Sequence, residues 1–295
     1  MTRRLHAWWG RWLQSLAHSH NGRPAVSVIV PVFGTEAYLG ECLQSLIEQS
    51  FRSMEIIVVD DASPGQVDSA VESFLGQSVP VTLLRHPTNR GPLAARVTGA
   101  AAARGRYLAF VDSDDWVDGR FVETLYGAAS AVGADLVQCA IQLSQDGEDD
   151  LIVNRGGSAH TSTGPAVLAE FLAGGMSNSL CNKMIRAKVW QSAVRQVDAP
   201  LRTIRFAEDL LCLFHVVLAS RSYSHINEPL YHYVRRRGSV TLAVDPAAAS
   251  RQEVDLRRVY NAIIDLVDPR NEHTALAQAF VAREFPIGGL GTMPL

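Results

Sequence analysis

Three carboxylates fall within four positions at the end of a short apolar run: Asp112, Asp114 and Asp115, in the segment YLAFVDSDDW that starts at Tyr107. A buried carboxylate is costly unless positive charge meets it. Asp-x-Asp at a strand end is therefore a candidate site for a divalent cation, and an all-oxygen donor set favours Mg2+ or Mn2+. The same residues also suit a polar turn that caps a helix, because Asp is frequent in both settings. Two more acids, Asp60 and Asp61, follow a second apolar run (EIIVVDD), and a third pair, Glu208–Asp209, opens a strongly apolar segment.

The elements that must position these acids are legible in the apolar pattern. Val26–Val32, Glu55–Val59, Val79–Arg85 and Tyr107–Val111 read as strands from their β-branched runs. Helices over Ala37–Gln49, Val67–Leu75 and Pro92–Arg104 separate them, the first with Leu39, Cys42, Leu43, Leu46 and Ile47 on one face. Strands buried on both sides and joined by single helices predict an α/β fold with a parallel sheet between helical layers. Ligand groups then gather at the carboxyl ends of the strands. Pro31–Val32–Phe33, Asp60–Asp61, the Arg85–Gly91 turn and Asp112–Asp115 all lie at such ends.

The second half is less regular. The pattern predicts helices over Phe121–Val132, Ala166–Ala173, Ala187–Ser192 and Glu208–Ala219, and a strand over Leu136–Leu143. Ser144–Gly164 reads as a hairpin or loop, Tyr223–Tyr233 as paired short strands, and 246–266 as one or two helices. The tail from Pro286 has no periodicity.

Composition narrows the function. The 295 residues are 47% apolar and carry a net charge of -3, which fits a globular chain and not a general nucleic-acid binder. Cys42, Cys139, Cys181 and Cys212 form no C-x-x-C pair, so neither a zinc site nor a disulfide framework is expected, and a reducing, cytoplasmic setting fits. No run reaches the ~20 apolar residues that span a bilayer, and Met1–Pro24 lacks the core of a secretory signal. Residues 1–20 do carry an amphipathic pattern (Leu5, Trp8, Trp9, Trp12, Leu13, Leu16 with Arg3, Arg4 and Arg11), which suits either peripheral membrane contact or docking on protein. A dinucleotide fold needs G-x-G-x-x-G after its first strand, whereas Val32–Glu36 holds one glycine; the P-loop pattern is absent too.

The ordered segments VSVIVPVFGTEAYLGECLQSLIEQSF, EIIVVDDAS, NRGPLAAR and GRYLAFVDSDDW resemble family 2 glycosyltransferases of the GT-A fold. CNKMIRAKVW, FAEDLLCLFHVVLAS and EPLYHYVRRRGSVT are similar to later segments of that family. The resemblance implies a GT-A domain with a mostly parallel central sheet and a helical C-terminal extension. It divides the chain into an N-terminal helix and linker (1–24), a nucleotide-sugar half (25–135), an acceptor half (136–245) and the extension (246–295). It places Pro31 and Val32 against the base and ribose of a nucleoside-diphosphate sugar, with UDP-sugar favoured because Asp60–Asp61, and Asp61 above all, could accept an imide N–H. Arg90 and Arg96 would lie near the donor, the latter forking onto base or phosphate. Asp112 would face the ribose, Asp114 would hold Mn2+ or Mg2+, and Asp115 would cap the next helix or support the site. Asp209 would be the general base of an inverting transfer to a glycan or lipid-linked hydroxyl. His232, Arg235 and Arg236 suit a loop over the phosphates, or a solvated basic run. Asn182 and Lys183 suit a site role or a structural one. The chain departs from the pattern at Val97, where many relatives carry Asn. It also lacks the Q-x-x-R-W signature of processive synthases, which favours single additions. A nucleotidyltransferase and an inactive binding module of the same fold remain as alternatives.

Overall fold

The computed structural model describes residues 22–145, 148–153, 155–235, 246–266 and 274–284. The amphipathic stretch 1–20, Arg236 and the tail from Pro286 lie outside the described residues. Among the described residues ten strands form one sheet, in the order β3-β2-β1-β4-β9-β6-β10-β5, with β7 paired to β6 and β8 to β10. The first four strands are β1 (Val26–Val32), β2 (Met54–Asp60), β3 (Val81–Arg85) and β4 (Tyr107–Phe110). They are mutually parallel, and α1 (Glu36–Ile47), α2 (Val67–Glu72) and α3 (Pro92–Ala102) connect them. From β1 the chain steps outward through β2 to β3, then returns to place β4 on the other side of β1. That reversal opens a crevice at the carboxyl ends of β1 and β4, where open α/β sheets bind ligands.

Period-2 alternation sends successive side chains to opposite faces. Val28, Val30, Val32, Ile56 and Val58 pack with α1, α2 and α4 (Phe121–Val132). Ile29, Ile57, Val59 and Phe110 face α3 and the helices of the second half. Both faces are thus covered, as the continuous apolar runs require. The expected face of α1 is the one buried: Leu39, Cys42, Leu43, Leu46 and Ile47. β3 differs from the expectation of a strand buried on both sides. It is the sheet's edge, and Thr82 and Arg85 are exposed.

The second half adds β5 (Trp116–Val117), β6 (Leu136–Gln145), β7 (Glu148–Val153), β8 (His160–Thr163), β9 (Lys183–Arg186) and β10 (Ser222–Arg235). The hairpin expected after Leu143 is the β6–β7 pair. Residues 222–235 make one strand, not two paired ones. Its first half pairs β8, its second half pairs β5, and β6 runs parallel alongside both. The register slips on either side of Pro229, which has no N–H for the ladder. Helices α5 (Pro165–Leu172), α6 (Ala187–Gln196), α7 (Glu208–Ala219), α8 (Pro246–Leu266) and α9 (Thr274–Glu284) cover the face that α3 also covers. The last two form the helical C-terminal portion. None of the described helices is long and apolar enough to cross a membrane.

Candidate active site

Glycine sets α3, and α3 sets the site. Gly91 adopts φ +91° just before Pro92 opens the helix, a backbone state that side chains with Cβ rarely take. One turn from the other end, a Cβ on Gly99 would lie 2.5 Å from Ile29 Cγ2 and 3.1 Å from Val59 Cγ2. The helix therefore rests directly on β1 and β2 and carries Arg96 into the interior.

Arg96 is the hub. Its side chain is 4% exposed. Nη2 donates to Asp112 Oδ1 at 3.0 Å, Nη1 donates to Glu208 Oε1 at 2.9 Å, and Nη1 also lies 2.9 Å from Asp209 Oδ1. One guanidinium thus joins a carboxylate after β4 to two at the start of α7, about a hundred residues further along the chain. The sequence reading turned this fork toward base or phosphate; in the fold both Nη nitrogens are taken by acids. Charge balance gives the reason: three acids crowded in one buried place require a cation that does not titrate. Burial opposes the charge on Arg96, and Asp209, Asp112 and Glu208 more than restore it, holding its pKa well above the usual value.

The two acids of α7 share that hub. Burial, then the charge of Asp209, pushes the Glu208 carboxyl up to about 7 despite Arg96. Burial also raises Asp209; Arg96 pulls it back, and Asp112 adds to the rise. Asp209 Oδ2 accepts the Leu180 N–H at 3.2 Å. Oδ1 is enclosed against Arg96 without an aligned hydrogen bond, while the side chain as a whole is 22% exposed. The oxygen that can meet an incoming hydroxyl is therefore Oδ2. Ala207, immediately before this pair, has φ +61°, a left-handed state that is strained for a residue with Cβ.

Around the Asp-x-Asp the chain is fixed from below. Ser113 is buried and shares a 2.6 Å hydrogen bond with Thr35 at the end of the β1 loop. Asp112 and Asp114 are half-buried, Asp112 with a third of its side chain exposed. Asp115 does not cap a helix, since β5 follows it. It accepts the Tyr231 hydroxyl at 2.5 Å and the Val234 N–H at 2.9 Å, tying β10 to the loop. Tyr231 Oη also accepts the Asp112 N–H at 3.3 Å. Burial, with Asp114 and Asp112 nearby, pushes the Asp115 carboxyl well above its usual value. Among the described residues no cluster of three or more His, Cys, Asp or Glu forms a cage for a metal ion. A cation held by one or two carboxylates and by substrate phosphates needs no such cage. The crowding of Asp112, Asp114 and Asp115 fits that kind of site.

On the other side of β1, Asp60 accepts the Ser63 N–H at 2.8 Å and lies 3.4 Å from Arg85 Nε. Asp61 is buried. It accepts the N–H groups of Arg90 (2.9 Å) and Gly91 (2.8 Å) and pairs with His86 Nδ1 at 2.6 Å. These use three of about four acceptor directions on a carboxylate, so Asp61 shapes the 86–91 turn and keeps about one direction for a ligand. His86 in turn meets Thr98 Oγ1 at 2.8 Å. Arg90 presents an exposed side chain at the rim, and Val97 is 37% exposed beside Arg96. Pro31 and Val32 end β1 opposite Val59 and Asp60.

Sequence reasoning missed the parts that arrive from afar. Tyr231 is one, legible only as the Tyr231–His232–Tyr233 alternation. The loop that carries Leu180 is another. Lys183 is fully buried, and its Nζ donates to Ser177 O (2.9 Å), Ser177 Oγ (2.8 Å), Asn182 Oδ1 (2.8 Å) and Ser179 O (2.5 Å). Burial lowers the Lys183 pKa to about 7. Lys183 and Asn182 thus build the loop that supports Asp209. His232 stacks on Trp116 with ring centroids 3.5 Å apart.

This fold and this arrangement of acids define a GT-A domain. Residues 27–189 match the model of glycosyl transferase family 2, and the chain belongs to that family. It is 32% identical over 215 residues to the putative glycosyltransferase EpsH of Bacillus subtilis, a match that spans 71% of this chain and 60% of EpsH. S. aureus TarS 1–349 in complex with UDP superposes with a TM-score of 0.70 at 21% identity, over 89% of this chain and 72% of that one; TarS has also been solved with UDP-GlcNAc. The mannosyltransferase PcManGT of Pyrobaculum calidifontis, in complex with GDP-Man and Mn2+, gives 0.63 at 19% identity, over 96% and 77%.

Proposed function

We propose that the protein is an inverting, non-processive glycosyltransferase that moves a sugar from a nucleoside-diphosphate sugar to a hydroxyl of a glycan or lipid-linked acceptor. The observation that carries the proposal is the Arg96 hub, which brings the Asp112 end of the sheet together with Asp209 at the switch point. On this reading 25–135 bind the donor and 136–245 bind the acceptor. Pro31 and Val32 line the base and ribose, Asp61 offers its remaining acceptor direction to the base, and Asp60 and Arg90 flank it. Asp112 accepts from the ribose. A UDP-sugar is favoured because a carboxylate suits the imide N–H of uracil, and TarS was solved with UDP and UDP-GlcNAc. Asp114, with the neighbouring acids, would hold Mn2+ or Mg2+. Bound there, the cation supplies positive charge where the departing diphosphate gains negative charge.

Asp209 Oδ2 takes the proton of the acceptor hydroxyl as that oxygen attacks the anomeric carbon. One base and one displacement leave the anomeric configuration inverted. Arg96 favours the charged form of Asp209, against the burial that raises its pKa. Arg235 and Arg236 would supply positive charge to the donor phosphates. The amphipathic stretch 1–20 points to peripheral contact at the cytoplasmic face of a membrane; flotation with vesicles should be lost when residues 1–20 are deleted.

The test is release of UDP from UDP-GlcNAc in the presence of Mn2+, with the first-formed sugar anomer read by NMR. Turnover to the β-anomer from the α-linked donor supports the proposal. UDP binding with no turnover on any donor or acceptor would make the protein a binding module instead.

A further inference from the structure

The last described turn of α9 closes on the loop that carries Leu180. Glu284 is buried. Its Oε2 accepts Asn178 Nδ2 at 2.9 Å, and its Oε1 accepts Arg155 Nη1 at 3.1 Å and Arg283 Nε at 2.9 Å. Arg283 also donates to the carbonyls of Ala173 (3.2 Å) and Leu172 (3.4 Å), and a Cβ on Gly174 would sit 2.8 Å from its guanidinium. The helix itself is seated by Phe280, whose ring lies 4.9 Å from that of Phe171 in α5. Asn178 stands two residues before Leu180, and the Leu180 N–H is the bond that aims Asp209 Oδ2. Lys183 grips the same loop from within.

We propose that Glu284 is a positioning residue for Asp209: from α9 it holds Asn178, and through that loop it fixes the Leu180 N–H that orients the reactive oxygen. The proposal rests on Asp209 acting as the base. It makes the C-terminal helical portion, which lies outside the family-matched residues 27–189, part of the catalytic support. A reacting group misaligned by a fraction of an ångström loses rate without losing donor binding. The Leu180 bond also favours the charged form of Asp209, so its loss moves the acid limb of the rate profile upward. The other charged and titratable groups around Asp209, namely Arg96, Asp112, Lys183, Glu208, Cys181 and Cys212, keep their identity in the variants below.

Two variants, Asn178→Ala and Glu284→Ala, are compared by hydrogen–deuterium exchange over 177–183 and by hydrolysis of UDP-GlcNAc with Mn2+, water replacing the acceptor. The expected result is exchange about tenfold faster over 177–183 with the β1, β2 and β4 amides unchanged. In the same variants kcat falls about tenfold, donor KM stays constant and the acid limb shifts upward. Glu284→Gln, which still accepts from Asn178, restores most of the loss. Wild-type exchange over 177–183 in Asn178→Ala overturns the proposal, as does a parallel fall of kcat and donor affinity with an unmoved acid limb. Asp209→Asn serves as the control. If it hydrolyses the donor like wild type, the base assignment fails, and exchange over 177–183 still reports on Glu284 separately.

Discussion

At the residue scale, the account turns on a division of labour among acids that share one arginine. Asp209→Asn keeps the shape and removes the base; transfer should fall about 10²–10⁴-fold with UDP affinity unchanged, as steady-state kinetics and calorimetry together would show. Because burial raises Asp209, the rate should climb with pH along a limb above the ordinary carboxylate range. Glu208 gives a separate, stability-based signal. Its carboxyl is at about 7 in the fold against 4.5 normally. A group that prefers its proton in the fold stabilises it fully below the unfolded value and loses that contribution as pH rises through the folded one. The melting temperature of the metal-free protein should therefore decline between pH 5 and 8, and Glu208→Gln should flatten that decline. Asp112, Asp114 and Asp209 stand out in the sequence as candidates because they follow a strand or open a helix. The partners of Arg96 were not legible, since Asp112 and Glu208 lie 16 and 112 residues away. Local pattern carries no information about such pairings.

At the element scale, the first four strands and three helices could be read directly, because burial of β1, β2 and β4 on both faces imprints apolar runs and α1 carries a clear helical stripe; β3, at the edge, was still legible from its apolar residues. Of the elements that escaped, three show why. β5 has two residues, too short to show a period. β9 contains Lys183, a buried ammonium held by polar partners, where a strand signal would want an apolar side chain. α9 buries only Ala277, Phe280 and Glu284 among its described side chains, so its stripe is thin. The paired short strands expected over Tyr223–Tyr233 are one strand that slips register at Pro229. The close seat of α3 makes a sharp prediction. Gly99→Ala should cost about 1–3 kcal/mol in urea unfolding, because the new methyl meets two β-branched side chains in the core. It should also weaken turnover, since Arg96 rides on the same helix.

At the scale of the whole molecule, Arg96 ties Asp112, which follows β4, to Asp209 at the start of α7, and the proposed reading gives those two places different tasks. The first half, the donor side on the proposed reading, is built from parallel strands joined by single helices, and its resemblance to the family is therefore easy to read. The second half is assembled from β6, β9, β10 and the helices after them, with parallel and antiparallel pairs mixed; on the proposed reading it binds the acceptor, through surfaces that local pattern does not encode. The two sides should respond differently to single changes. The central claim is that a cation-dependent donor site at Asp114 is separable from the base at Asp209. Calorimetric titration of UDP in Mn2+ and in EDTA tests it most directly. Binding is expected to require Mn2+ in wild type, to be lost in Asp114→Ala and to be retained in Asp209→Asn. UDP binding that ignores both the metal and the Asp114 substitution would contradict that claim.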